Sequence, residues 1–168
     1  LRSTETVSIT GNLILGVGAT VTVPRAANNS YNPLTLDVVG KVELDDGATI
    51  DLNGQGYGNE YYGGPDANHS GDNIDRSWSC HGGLRTHEVS RDCVYGRYER
   101  ASFAGSSGDY RGVTDTAQGG GYLDLKAGEI ELKGNSSISA NGIKGNSNGG
   151  GAGGGINLEA GRLYGSGN

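Results

Sequence analysis

The chain has no methionine, one phenylalanine, one tryptophan and three prolines in 168 residues, and only 33% of it is hydrophobic. That is thin for an ordinary globular core. Proline this sparse, without a Gly-X-Y period, excludes collagen. No apolar run approaches the roughly 18 residues of a membrane-spanning helix. Lysine and arginine form no cluster, and the net charge is −6 with a pI near 4.9, so nucleic acid and anionic membranes are poor partners. No window carries a convincing helical period. No signal peptide is present, and the sequence starts at Leu1 without Met. We therefore expect a processed or excised piece of a longer chain.

Glycine is abundant instead: 33 residues, several times its usual share of about 7%. Turns and close backbone approaches account for such a number. The sequence also repeats itself. Residues 9–23 align with 38–52 at an offset of 29. Gly11, Leu13, Leu15, Gly18, Ala19, Val21 and Val23 meet Gly40, Val42, Leu44, Gly47, Ala48, Ile50 and Leu52. A third copy occupies 127–140, with Gly128, Ile130, Leu132, Ile138 and Ala140 in the same columns, and a fourth begins at Ala160. Copies with alternating apolar residues predict β-strands with one face inward and one in water. Stacked copies of that kind predict a right-handed parallel β-helix, a β-solenoid, in which each copy is one rung. The expected organisation is one solenoid segment over 1–168, interrupted by a loop insertion over 57–118.

The insertion has a composition of its own and holds both cysteines, all three histidines and most of the aromatic residues. Cys80 and Cys93, the only cysteines, are expected to close a structural disulfide within it, which suits an oxidising compartment. Sequons at Asn28, Asn68 and Asn135 are candidate glycosylation sites of a secreted protein. Tyr61, Tyr62, Trp78, Tyr95 and Tyr98 stand in a polar, arginine-bearing stretch and are candidate ligand-binding residues, since aromatic faces bind sugar C–H surfaces. The competing reading makes them, with Tyr57 and Tyr110, a small satellite core. Asp66, Asp72 and Asp75 offer hard oxygen ligands that suit calcium, although no EF-hand spacing is present. A solvated acidic loop is the simpler reading, and no cofactor is expected.

Other motifs fail on chemistry. Gly54, Gly56 and Gly58 follow a strand but precede no helix whose N-terminus could hold a phosphate. The run from Gly149 to Gly155 lacks the Asp ligands of a calcium nonapeptide; close packing where the insertion rejoins the repeats explains it. Cys80 and His81 are adjacent and no C-x₂-C pair exists, so a zinc site with His69 and His87 is disfavoured. Ser79, His81 and Asp92 lack a nucleophile-elbow signature.

Taken in order, Gly47-Ala-Thr-Ile-Asp-Leu-Asn-Gly-Gln-Gly-Tyr-Gly58, Ser79-Cys-His-Gly-Gly83, Tyr95-Gly96, Gly105-Ser-Ser-Gly108, Ile138-Ser-Ala-Asn-Gly142 and Gly149-Gly-Gly-Ala-Gly-Gly-Gly-Ile156 resemble the glycine-rich parallel β-helix repeats of large secreted and cell-surface proteins. The resemblance spans nearly the whole chain. It departs at Cys80 and the Arg- and Asp-rich stretch around it, and it implies an architecture rather than an activity.

The expected function is that of a non-catalytic extracellular or cell-surface scaffold, a segment of a surface protein or filament subunit. Neighbouring copies or further repeats of the same chain would be its partners. A carbohydrate-binding adhesin module using the aromatic insertion is the first alternative. A polysaccharide-degrading β-helix enzyme is the second; it requires clustered carboxylates on one outward strand face.

Overall fold

In a computed structural model the described residues are 5–26, 30–57, 99–107, 117–145 and 150–167. They form eight strands: β1 (Val7–Ile9), β2 (Leu13–Leu15), β3 (Thr20–Val21), β4 (Leu34–Leu44), β5 (Thr49–Asp51), β6 (Tyr122–Leu132), β7 (Ser137–Ser139) and β8 (Gly155–Gly165). All pairing between these strands is parallel. A five-stranded sheet runs β1-β4-β6-β8 with β2 also on β4, and a three-stranded sheet runs β3-β5-β7. The chain alternates between them, from β2 to β3, β4 to β5 and β6 to β7.

The all-β expectation stands, but the right-handed parallel β-helix with a disulfide-closed loop is corrected. The strands gather into two separate parallel sheets of unequal size, not the wall of one solenoid. Two-residue periodicity dictates which face of a strand is inward and which strand it matches. It does not dictate how strands are divided among sheets. Here the division favours long strands: β4, β6 and β8 each run 11 residues through a glycine, while the second sheet receives strands of two or three. No disulfide stands among the described residues; Cys80 and Cys93 lie outside them.

The repeat columns appear directly as strand register. Leu13, Val42, Ile130 and Leu163 are successive partners across the large sheet, and Val21, Ile50 and Ile138 across the small one. Inward side chains of both sheets meet in one apolar cluster that includes Leu36, Val38, Val42, Leu44, Ile50, Leu52, Leu123, Leu125 and Ile130. At about 25 cal/mol per Å² of apolar surface, this column is the main favourable term of the fold.

Glycine carries the long strands through a bend. A side chain at Gly128 would bring its Cβ to 2.8 Å from the Val39 carbonyl oxygen. At the same place β4 has one residue more than β6, a bulge between Val38 and Lys41 that pushes Val39 into solvent. The Asn12 side chain accepts a hydrogen bond from the Lys41 amide at 2.9 Å and so keeps the bulged backbone paired. A second glycine device lies beside the sheets. Segments around Gly54–Tyr57, Gly105, Gly119–Gly120, Asn141 and Ala152 bond side by side through their backbones without forming strands. Gly56 N–H donates to Gly119 O (2.7 Å), Gly105 N–H to Gly120 O (2.7 Å) and Gly120 N–H to Ala152 O (2.9 Å). A Cβ at Gly56 would lie 2.5 Å from the Gly105 carbonyl oxygen, so only glycine fits this spacing. Within the 149–155 run, Gly151 and Gly154 pack closely, since a Cβ there would strike the Gln118 and Gly121 carbonyl oxygens, whereas a Cβ at Gly150 would meet nothing within 4 Å and Gly149 lies outside the described residues.

Candidate functional site

The outward face of the five-stranded sheet carries half of the charged residues among the described ones, and parallel register stacks them into rows. One row is Lys41, Glu129 and Arg162; the next is Ile14, Glu43, Glu131 and Tyr164. Glu43 is gripped by Lys133 and by Lys41. Lys41 also reaches Glu131 at 2.9 Å, and Lys133 reaches Asp45 at 3.2 Å. Hydrogen bonds from Lys133 first, and from Lys41, hold the Glu43 carboxyl down at about 2, well below its ordinary 4.5. The same contacts raise both lysines, Lys41 chiefly through Glu43 and then Glu131, Lys133 chiefly through Glu43 and then Asp45. Tyr164 completes the patch: its hydroxyl donates to Glu129 at 3.1 Å and the Arg162 guanidinium lies 4.3 Å from its ring centre. A glycosidase's general acid must keep its proton near neutral pH. Glu43 is tuned in the opposite direction.

A second cluster sits at the start of β6 and β8, where residues 100–103 of the insertion lie close to Asp124 and Gly155. Arg100 forks onto Asp124, its Nη2 donating to Oδ2 at 2.9 Å and to Oδ1 at 3.2 Å. Asn157 Nδ2 donates to Asp124 Oδ1 at 2.6 Å. Tyr122, on the same outward face two residues earlier, meets Tyr31 edge to face at 6.4 Å, and Tyr31 meets buried Tyr57 at 4.9 Å. Burial raises the hydroxyl pKa of both Tyr31 and Tyr122. The result is an arginine, a carboxylate, an amide and partly exposed aromatics side by side, chemistry that suits polyhydroxylated ligands.

The sequence-predicted site residues fall elsewhere. Tyr61, Tyr62, Trp78, Tyr95 and Tyr98, the acidic set Asp66, Asp72 and Asp75, the cysteines Cys80 and Cys93, and the sequon asparagines Asn28 and Asn68 lie outside the described residues. Asn135 is described: it is exposed on the turn between β6 and β7, and its backbone N–H and side-chain Nδ2 both donate to Asp46 Oδ1, at 2.7 and 3.2 Å. Among the described residues no group of three or more His, Cys, Asp or Glu side chains is placed to hold a metal ion, and no helix is long and apolar enough to cross a membrane.

Neither cluster is among the sites expected from the sequence. The lysine–carboxylate set had a signal: Lys41, Glu43 and Asp45 align with Glu129, Glu131 and Lys133 at one offset of 88. The Arg100–Asp124 fork had none, because Arg100 belongs to the patternless insertion. No family model, curated protein or solved structure matches this chain.

Proposed function

We propose that this chain is a segment of an extracellular structural scaffold, part of a surface protein or filament subunit that assembles end to end without catalysis. The observation that supports this reading is the free edge of β8. Among the described residues no strand pairs with its far side, so an 11-residue strand offers its backbone groups to a partner. Its inward side chains continue the core columns into solvent: Leu163, the successor of Ile130, is 57% exposed, and Ile156, the successor of Leu123, is 37% exposed. An open edge with an unfinished apolar column is a template for further parallel pairing. The reading requires no cofactor; calcium, if bound, would go to Asp66, Asp72 and Asp75. Sedimentation velocity of the purified protein and electron microscopy of native material test it. The expected result is concentration-dependent elongated oligomers, and a monodisperse monomer at every concentration overturns it.

A second reading has its own observation, the Arg100–Asp124–Asn157 cluster with Tyr122 on the same face. As a carbohydrate-binding module the chain would bind neutral glycans there, and Asp124→Ala would remove the binding while the two sheets stay folded. A glycan array with no hit above background, for wild type and variant alike, sinks it.

A further inference from the structure

We infer that the partner of the β8 edge is the β1/β2 edge of a second copy, docked parallel and head to tail in one register. This inference rests on the scaffold reading and adds partner, polarity and register to it. Within the chain each column is already tested by contact: Val7 pairs with Leu36, Leu36 with Leu125 and Leu125 with Leu158. Ile9, Val38, Ala127 and Ala160 form the next column, and Leu13, Val42, Ile130 and Leu163 another. Continuing the same step places Val7, Ile9 and Leu13 of a second copy on Leu158, Ala160 and Leu163. These three inward positions then meet an apolar residue, as in the core, while Ile156 lies opposite Glu5, just before β1.

The outward rows agree. Glu159 would face Ser8 and Tyr164 would face Ile14, which is 59% exposed in the single chain. Arg162 would lie beside Asn12. No like charges meet, and an isolated apolar side chain gains an aromatic neighbour. The second copy brings one extra residue at the bend, between Ile9 and Leu13. The β4–β6 pair absorbs the same mismatch as its bulge between Val38 and Lys41. The docking leaves β7 and the β3 of the second copy one strand apart, so the contact belongs to the large sheet alone.

Polarity follows from side-chain size along β8. An antiparallel β8–β8 pair centred between Gly161 and Arg162 would set Leu158 against Gly165 and Ala160 against Leu163, whereas the parallel docking gives Leu158, Ala160 and Leu163 the apolar partners Val7, Ile9 and Leu13. Because the two edges are different surfaces, the contact is heterologous and does not close on itself.

Ser8 and Glu159 are exposed and polar, so Ser8→Cys with Glu159→Cys reads the register without removing an apolar contact. Adjacent strands bring Cα atoms within disulfide range. With oxidised glutathione, the double variant should give a ladder of covalent oligomers, while each single variant, which keeps Cys80 and Cys93, should not. Leu163→Glu should weaken association about tenfold or more with the circular dichroism spectrum unchanged. Oligomers in sedimentation without the double-variant ladder overturn the register and leave the scaffold reading standing. So does a dimer that Glu159→Cys alone cross-links, or association indifferent to Leu163→Glu. No association of the unmodified protein removes both.

Discussion

Ile50 is the best place to test how the small sheet is held. It is 0% exposed and sits between Val21 and Ile138 in register. Ile50→Ala deletes three carbons, and at about 0.8 kcal/mol per buried methylene the transfer loss alone is about 2.4 kcal/mol. The residual cavity adds to it, so about 3 kcal/mol is expected, inside the usual 2–5 kcal/mol for such changes. A domain stable by about 5–15 kcal/mol survives this and unfolds at lower urea. Ile138→Ala deletes the same atoms from β7, which is only partly buried and has no strand on its far side among the described residues. It should cost about half as much. Ile50→Asp should abolish folding, because it buries a carboxylate with no partner. Asp51→Asn should be tolerated: Asp51 Oδ1 accepts the Asn53 amide hydrogen at 2.9 Å, and the asparagine keeps an oxygen there. Urea unfolding followed by far-ultraviolet circular dichroism reads all four. Equal costs for Ile50→Ala and Ile138→Ala, or an Asp51→Asn as damaging as Ile50→Ala, would refute the placement of Ile50 at the centre of its sheet.

Three further outcomes follow from other contacts. Glu43 is held down to about 2 by Lys133 and Lys41, so its contribution to stability is complete above its ordinary 4.5 and disappears as pH falls from there towards 2. Lysine–carboxylate contacts at this exposure are screened by salt, so the acid loss should be smaller in 1 M NaCl, and Lys133→Met should move the Glu43 side-chain ¹³C titration upward. A midpoint for Glu43 near 4.5 in the wild type would contradict the contact. Lys41 and Lys133 are raised above 10.5, so their share is complete below that pH and lost only above it. Gly56→Ala should destabilise strongly, since the Cβ has nowhere to go beside the Gly105 and Gly120 carbonyls; an unchanged urea midpoint would mean the glycine segments are not packed as described. Asp124→Ala leaves the Arg100 fork without its acceptor and should speed proteolytic cleavage near residues 99–107, whereas a cleavage rate equal to wild type would show that the fork does not fasten this segment.

The strand columns were legible because an apolar residue every second position, repeated at a fixed offset, leaves few registers that bury every copy. Leu13, Val42 and Ile130 could be aligned on paper and are partners in space. The division into two sheets was not legible, since alternation matches strands to one another without saying which of them share a sheet. Nor was the break of the first copy into β1 and β2, where the second copy runs on as β4 with the Lys41 amide bonded to the Asn12 side chain. The Arg100 fork and the Tyr31–Tyr57 contact were hidden for a related reason: both join residues that lie outside the repeated copies.

In-register parallel copies create a difficulty that identical repeats cannot solve, because the same residue recurs in each row and like charges would stack at about 4.8 Å. The sequence diverges at the outward positions that need it. Asp37 is followed in its row by Lys126 and then Glu159, and Lys41 by Glu129 and then Arg162, so the sign alternates from strand to strand. The exception is Glu43 beside Glu131, a like pair in one row. It is relieved from the flanking positions: Lys41 binds both carboxylates and Lys133 binds Glu43. The inward positions show the opposite behaviour, with Leu, Val, Ile and Ala recurring in each column. Apolar contacts tolerate repetition and charges do not, and selection for parallel stacking accounts for both halves of the pattern.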